Sequence, residues 1–577
     1  KTTSGNFIGP SSEKFTRVTA MNLSRKSKGL IMLALFAAVA VLSWIGLSRL
    51  YPESNTLRYL PDRIYRIIKI LMGTDPTSSG LEKPDTPWQL IIVKLFSIYI
   101  LALLVFKGLQ KFFHEQWVLY RIAFMKNHNI VVGMGEKSLH LLKDMSEQGM
   151  KAVVIEQNEE HPHRKQVRKW GHATVFGDAS DDKVLEEAAC KHAQSLVCFL
   201  DDEQKVLNVA KAVKIHHQDA THGQAMLAHL HFRHPRIVEL LQQSALCQNH
   251  DHQVQWRFFN IQKMVARQFM QQLAHDLSTQ LQLPNTAFRL VLLGLSSYNQ
   301  AILIQALRLL HLQPEKTVEI VVCSEHCERD ANLFADLYPQ AHHILPLRFV
   351  PFDGSLNAIA NLGNMDTGHC VMVCANEDSE YNLSLALELW SRTQESVSIY
   401  CLLMHLPEMQ HLLGNTAHQR LHFFGSMEDF CRWELLTGSQ QDRMAQAIHA
   451  DYLGLLTGAN SESQAYIQAW EALSEDAKDA NRAQADHVVY KLAMTNHLQT
   501  PNDTLSFNAS DVEILAQAEH RRWMAHRYLH GWQYGEVRDD SLKRHPSLVA
   551  WDDLSEAEKQ KDRDTVLRLP HLLTQQK

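Results

Sequence analysis

The stretch "NIVVGMGEKSLHLLKDMSEQGMKAVVIEQNEE", residues 129–160, carries more information about the fold than any other in the 577-residue chain. "NIVV" is a short apolar strand, and Gly133-x-Gly135 makes a tight turn after it. Leu139, Leu142 and Met145 then recur at helical spacing, and "AVVIE" is a second strand that closes on Glu156. The physical logic is that a helix N-terminus presents backbone N–H groups to a phosphate. A carboxylate at the tip of the next strand can hold ribose hydroxyls. Ser138 stands where the full fingerprint has its third glycine, which predicts looser helix–strand packing. Strand, helix, strand and terminal acid in register make this far more specific than a lone Gly-x-Gly.

The alternation continues in "ATVFGDASDDKVLEEAACKHAQSLVCFLDDEQKVLNVAKAV" (173–213), with a Gly177-Asp178 turn between strand and helix. With GMG, Glu156 and the "GDASDDKVLEEA" block in hand, residues 129–280 resemble the RCK/TrkA-N family. Its members are regulatory nucleotide-binding domains attached to ion channels and transporters. The resemblance implies a cytosolic domain that pairs with a second copy and binds NAD(H) or another adenine nucleotide. Residue by residue it carries over to Gly133, Gly135, Ser138, Glu156, Gly177 and Asp178.

A second unit starts at "FRLVLLGLSSYNQAILIQALRLL" (288–310) and runs over 281–435. Its turn is Gly294-Leu-Ser296, its second strand reaches Cys323 where the first copy has Glu156, and "FVPFDGS" stands for the Gly-Asp turn. Loss of glycine and acid predicts a degenerate repeat that completes a dimer-like pair.

From about 436 to 577 the periodicity is helical. Residues 518–546, "AEHRRWMAHRYLHGWQYGEVRDDSLKRHP", pack aromatics, bases and histidines together. On a helix over 511–530, Glu519, Trp523 and Arg527 share one face, and Arg522, His526 and His530 form the neighbouring stripe. Trp523 and Trp532 as core, with Glu519–Arg527 a surface ion pair, is the plainer alternative. "AEHRRW", "GWQYG" (holding Trp532 and Tyr534), "KRHPSLVAWDDLSEAEKQKDRD" (holding Lys543 and His545) and "NRAQADHVVYKL" together resemble the RyR domain, the repeat named after ryanodine receptors. That implies a binding or interaction module, and no reaction. The residue types suit a flat anionic, nucleotide-like ligand. Trp523 or Trp532 offers a stacking face, Arg482, Arg522 and Lys543 phosphate contacts, and Asn481, Asp486 and Glu519 partners for hydroxyl or amine donors.

Upstream, "GLIMLALFAAVAVLSWIGL" (29–47) and "WQLIIVKLFSIYILALLVF" (88–106) are each long enough to span a hydrocarbon core of roughly 30 Å. Two spans within 21–128 put both chain ends on one side. Five Lys/Arg in 14–28, six in 48–87 and four in 107–126 do not decide orientation. The thiol-containing domains place both ends inside an inner (cytoplasmic) membrane. Lys94 either snorkels to the interface or faces a pore or partner helix. Residues 57–72 read as an interfacial amphipathic helix, 107–126 as a juxtamembrane one, and 1–20 as a leader or disordered tail. No TVGYG-like filter is present.

A formal net charge of −6 gives no argument for nucleic-acid binding. Nine cysteines show no disulfide framework, and the three-residue spacings Cys323–Cys327 and Cys370–Cys374 suit strand thiols better than zinc. The 33 histidines form no ligand motif, so no metal is expected. The expectation is therefore a two-helix transmembrane segment, α/β tandem Rossmann-like (RCK) domains and an all-α RyR-like domain. It is a homo-oligomeric, even-numbered membrane sensor or channel-like effector, in contact with lipid and gated by a small nucleotide. A non-conducting regulatory subunit of a transporter is the alternative, and an NAD-dependent enzyme is disfavoured because no acid–base pair, GxSxG or Walker lysine accompanies the turn.

Overall fold

Short runs of apolar residues that are buried on both faces belong to parallel sheets covered by helices. His128–Val132 (β1) ends in such a run, Ile130-Val131-Val132, and is buried at every position. In the computed structural model, residues 41–49, 60–71, 87–217, 225–242, 244, 253–282, 286–313, 316–352, 355–365, 368–405, 420–436, 442–455 and 468–575 are described. The chain divides into two units, Lys1–Val118 and Leu119–Lys577.

In the first unit, helices cover 41–49, Leu60–Leu71 (α1) and Trp88–Ala123 (α2). Leu47, Leu90 and Val93 form a small buried cluster. Gly46 permits it, since a Cβ there would fall 2.6 Å from Leu90 Cγ. α2 runs as one helix through both the apolar stretch and the segment expected to be a separate juxtamembrane helix. Residues 29–40 of the first apolar stretch, the Lys94 side chain and residues 1–20 lie outside the described residues. Among the described residues, no helix is long and apolar enough to cross a membrane.

The second unit holds two six-stranded sheets. β1, Ala152–Glu156 (β2), Ala173–Phe176 (β3), Ala193–Cys198 (β4), Met226–His231 (β5) and Val254–Phe259 (β6) lie in the order β3-β2-β1-β4-β5-β6, all parallel. Ala287–Leu293 (β7), Val318–Ser324 (β8), Leu347–Pro351 (β9), Gly368–Cys374 (β10), Val397–Leu402 (β11) and Leu421–Phe424 (β12) repeat it as β9-β8-β7-β10-β11-β12. Both are the doubly wound order in which the strand sequence reverses at the first strand. The turn helices are Glu136–Glu147 (α3) and Ser297–Leu309 (α4 by position in the second sheet).

The two sheets are joined reciprocally. Ile261–Asp276 (α5), which follows β6, packs on α4 of the other sheet. The segment after β12 returns to α3, where Asp144 accepts from the Trp433 N–H at 2.8 Å and Lys143 meets Glu428 at 3.1 Å. Phe269 of α5 sits edge-on to Tyr400 of β11, whose hydroxyl donates to Asp276 at 3.0 Å.

Glu475–Asp486 (α6), Val488–Met494 (α7), Ala509–Leu529 (α8) and Glu556–Thr574 (α9) make the C-terminal part helical, with one departure from the expected all-α fold. A two-stranded ribbon pairs Gln533–Tyr534 with Arg544–His545. α8 begins with a capping box, Asn508 and Asp511 each accepting from the other's backbone N–H. It ends where Gly531 takes φ +79 and the Trp532 N–H returns to the Arg527 carbonyl. The C-terminal helices are fastened to α5: Arg267 makes two bonds of 2.7 Å to Asp486, Lys263 pairs with Asp479, and the Tyr490 hydroxyl donates to the Met270 carbonyl.

Candidate functional site

The crevice at the carboxyl ends of β1 and β4 is where this topology binds ligands. Gly133 turns the chain at φ +89, and its N–H bonds the Ile155 carbonyl. Glu156 closes the crevice on the β2 side: Oε2 accepts from the Met134 N–H at 2.8 Å and Oε1 from the Asn158 N–H at 2.9 Å. The carboxylate therefore stands in the turn itself, where a ribose would meet it. Gly177, at φ +150, bonds the Glu156 carbonyl, and a Cβ on it would fall 2.5 Å from Val184 Cγ2. Asp178 accepts from the Ser180 hydroxyl and N–H, and these bonds hold its carboxyl below the ordinary value. Ser138, in the place of the third glycine, is buried in the first turn of α3. It is 1% exposed, and its hydroxyl oxygen has no partner.

Gly135 differs from its neighbours. Its backbone is extended, with φ −64, and a Cβ there would meet nothing within 4 Å. Gly135 is the N-cap of α3 with no side-chain cap, and the space before the helix start is left empty. Beside it, Lys137 of α3 and Arg233 beyond β5 both point to Asp201, at 3.0 and 3.5 Å. These two bases, absent from the sequence-based site, follow β1 and β5. No local motif marks them, because the sheet order alone brings them to the crevice.

The second crevice is closed by its own side chains. Ser296, at the position of Gly135, caps α4 through the Asn299 N–H and donates to the Ala375 carbonyl. The Glu377 carboxylate takes the anion's place at the helix start, accepting from Ser297 Oγ at 2.9 Å and its N–H at 3.3 Å. The register also corrects one alignment. The Gly294 N–H bonds the Cys323 carbonyl as Gly133 bonds Ile155, so the counterpart of Glu156 is Ser324 and not Cys323. Burial pushes the Cys323, Cys370 and Cys401 thiols up to about 12, so they are protonated strand residues.

In the C-terminal block the named residues separate into two groups. Glu519 is 3% exposed, bonded by Lys491 Nζ at 2.7 Å and by Arg522 Nη2 at 2.7 Å. Burial alone would push its carboxyl up; Arg522 and Lys491 outweigh that and hold it well below the carboxylate range. Arg482 is taken by Asp442 at 2.7 Å, Glu475 at 2.8 Å and Asp479 at 3.0 Å. Asp486 is held by Arg267, and Asn481 bonds the Ala477 carbonyl of its own helix. With Arg522 these residues are committed to partners inside the protein, and the Glu519–Arg527 surface pair of the plainer alternative gives way to a buried Glu519–Arg522 pair.

The second group gathers around Trp532, which is buried at 6% exposed as the plainer core alternative has it, and reaches the surface through Tyr534. Trp523 is half-buried, and its ring lies 4.9 Å from that of His545, edge to face. Arg527 stacks over Trp532 at 4.5 Å and over Trp523 at 5.6 Å. Tyr534 is 55% exposed and pairs in the ribbon with His545, whose ring burial and the nearby Arg527 hold down to about 4. Lys543, at φ +52, donates to the His530 carbonyl at 2.9 Å. Arg527, the member that joins the two tryptophans, was legible only as a helix-face neighbour of Trp523.

The fold and the turn thus define a tandem Rossmann-like protein with one open dinucleotide-type crevice, one self-closed copy and a helical aromatic–basic module. In agreement, residues 129–231 match the family model of the TrkA-N domain, and residues 504–575 match that of the RyR domain. Among solved structures, the chain is similar to the GsuK channel bound to NAD (12% identity, 73% of this chain and 86% of that one, TM-score 0.40). It is also similar to GsuK bound to ADP (14% identity, 70% and 94%, TM-score 0.36). A third likeness is to the NAD(P)-binding domain of an exopolyphosphatase-related protein from Archaeoglobus fulgidus (15% identity, 26% and 99%, TM-score 0.21).

Proposed function

We propose that this chain is a nucleotide-gated membrane sensor, channel-like in architecture, in which the first Rossmann-like unit binds NAD(H) or another adenine nucleotide. The carrying observation is Gly135. A serine there would add a side-chain cap, worth only a few tenths of a kcal/mol over glycine, as Ser296 does in the second unit. The first unit forgoes that cap and keeps an uncapped helix start, open space and a facing carboxylate. The TrkA-N match over the same residues supports the reading, and NAD and ADP, bound in the GsuK structures, are the ligands to try first.

The membrane part of the proposal rests on α2. Leu95, Ile98, Tyr99, Val105 and Phe106 are 66, 55, 58, 53 and 58% exposed, a face that water solvates poorly and lipid or partner helices would cover. Both ends and the large domains lie in the cytoplasm, and the chain works as an even-numbered homo-oligomer. Ligand binding then shifts the packing of the spans by its differential affinity for two states. The group of Trp523, Arg527, Trp532, Tyr534, Lys543 and His545 is the second, nucleotide-like reader.

Calorimetry on the purified full-length protein tests the first site. One equivalent of ADP or NAD(H) per chain is expected, weakened at least about tenfold by Gly135→Ala with a stability loss of no more than about 1 kcal/mol, since the added methyl meets no protein atom and alanine is only the poorer N-cap. Unchanged binding in Gly135→Ala, or none in the wild type, would overturn it. Ion flux in proteoliposomes then separates a conducting effector from the alternative, a silent regulatory subunit.

A further inference from the structure

Three side chains with ligating atoms, about fifty residues apart in sequence, meet at the end of α8. His526 and His530 are one helical turn apart, with ring centroids separated by 4.2 Å. Asp476, in the first turn of α6, faces both: its Oδ1 is 3.1 Å from His530 Nε2 and 3.9 Å from His526 Nε2. A tetrahedral ion with bonds of about 2.0–2.1 Å holds its ligand atoms about 3.3 Å apart, so the two distances bracket what a bound ion requires. One ligand atom from each residue lies within 4.8 Å of the others.

The hydrogen bonding points the same way. His530 Nδ1 is 2.7 Å from the His526 carbonyl, which can only accept, so Nδ1 carries the proton. In the neutral ring Nε2 then turns a lone pair toward the Asp476 carboxylate, and two acceptors at 3.1 Å need a cation between them. A proton would satisfy that pair alone. It would leave His526 Nε2, on a ring 3% exposed and 3.9 Å from the same oxygen, with no role. A metal ion uses both rings, and the Nδ1–carbonyl bond is the orienting contact that ligating histidines have.

We infer that Asp476, His526 and His530 form a binding site for one divalent transition-metal ion of the zinc type, with a fourth position open to water or a ligand. Two nitrogens and one oxygen suit zinc and cobalt and not magnesium or calcium, which take six or more oxygens. Asp476 is 45% exposed, so the ion has a way in. The ion ties the start of α6 to the end of α8, two residues before Trp532, where Lys543 already holds the His530 carbonyl. The inference stands independently of nucleotide binding.

The test is zinc uptake by the full-length protein in detergent, stripped with a chelator and measured by calorimetry and elemental analysis. One equivalent per chain is expected, with a raised melting temperature and no competition from magnesium. Asp476→Asn and His530→Gln should each weaken uptake by more than the roughly 10–100-fold that a merely supporting residue costs. Cobalt should give the visible absorption of a tetrahedral site, and lose it in Asp476→Asn, a half-exposed position where folding is not at stake. No uptake by the wild-type chain, or uptake and cobalt colour unchanged in Asp476→Asn, would overturn the inference.

Discussion

Single atoms separate the glycines of the first crevice into those whose backbone or neighbours require glycine and Gly135, where an added Cβ meets nothing within 4 Å. Gly177 belongs to the first kind: φ +150 and Val184 Cγ2 at 2.5 Å leave no room for a methyl. Gly177→Ala should destabilise the protein by about 2–3 kcal/mol in denaturant unfolding, and an unchanged midpoint would show that Val184 yields freely. Ser138 tests the opposite sign. Its hydroxyl is buried without a partner, a burden of about 1–3 kcal/mol that Ser138→Ala removes, so that variant should melt no lower than the wild type.

At the scale of elements, ion pairs decide how the helices are held. Glu519 on α8 meets Lys491 on α7 at 2.7 Å with both nearly shut off from water. Glu519→Gln strands Lys491 and Arg522 as buried cations, and should cost about 3–5 kcal/mol, read as a lower midpoint in denaturant. A loss below about 1 kcal/mol would mean that water reaches the cluster. α5 acts as the shared strut, packing on α4 and gripping Asp486 through Arg267. The second sheet's turn helix and the C-terminal helices both lean on this one helix.

Across the whole molecule, buried neutral histidines set the response to acid. His229, His231, His369 and His487 are lowered to about 4, 3, 4 and 4, in each case first by burial, with nearby cations adding to it. Folded values below the unfolded 6.5 mean that the unfolded chain binds more protons in acid. Their contribution is complete above about pH 6.5 and lost as pH falls toward 4, at about 1 kcal/mol per pH unit for each. The melting temperature should therefore drop steadily from pH 7.5 to 5; a flat profile would contradict the burial of these rings.

Much of this was legible in the chain itself. Gly133, the helical period from Leu139 to Met145 and the acid at 156 announced a parallel Rossmann-like unit, because strand, turn and helix are signalled by neighbours a few residues apart. The same local signals found the repeat and the aromatic–basic block, and predicted that the second copy is degenerate. What they could not assign were the partners. Arg482 and Glu519 have the residue types of a ligand site, yet packing commits them to carboxylates and cations inside the protein. Ser324 is the counterpart of Glu156 only because the β7–β8 register says so. Asp476 reaches His526 and His530 only because α6 lies against α8. Hydrogen bonds and ion pairs act over about 3–4 Å, and partners such as Arg267 and Asp486, 219 residues apart, leave no trace in local spacing. Secondary structure was therefore written in the sequence, while the choice between binding residue and structural brace was made by the packing of the helices.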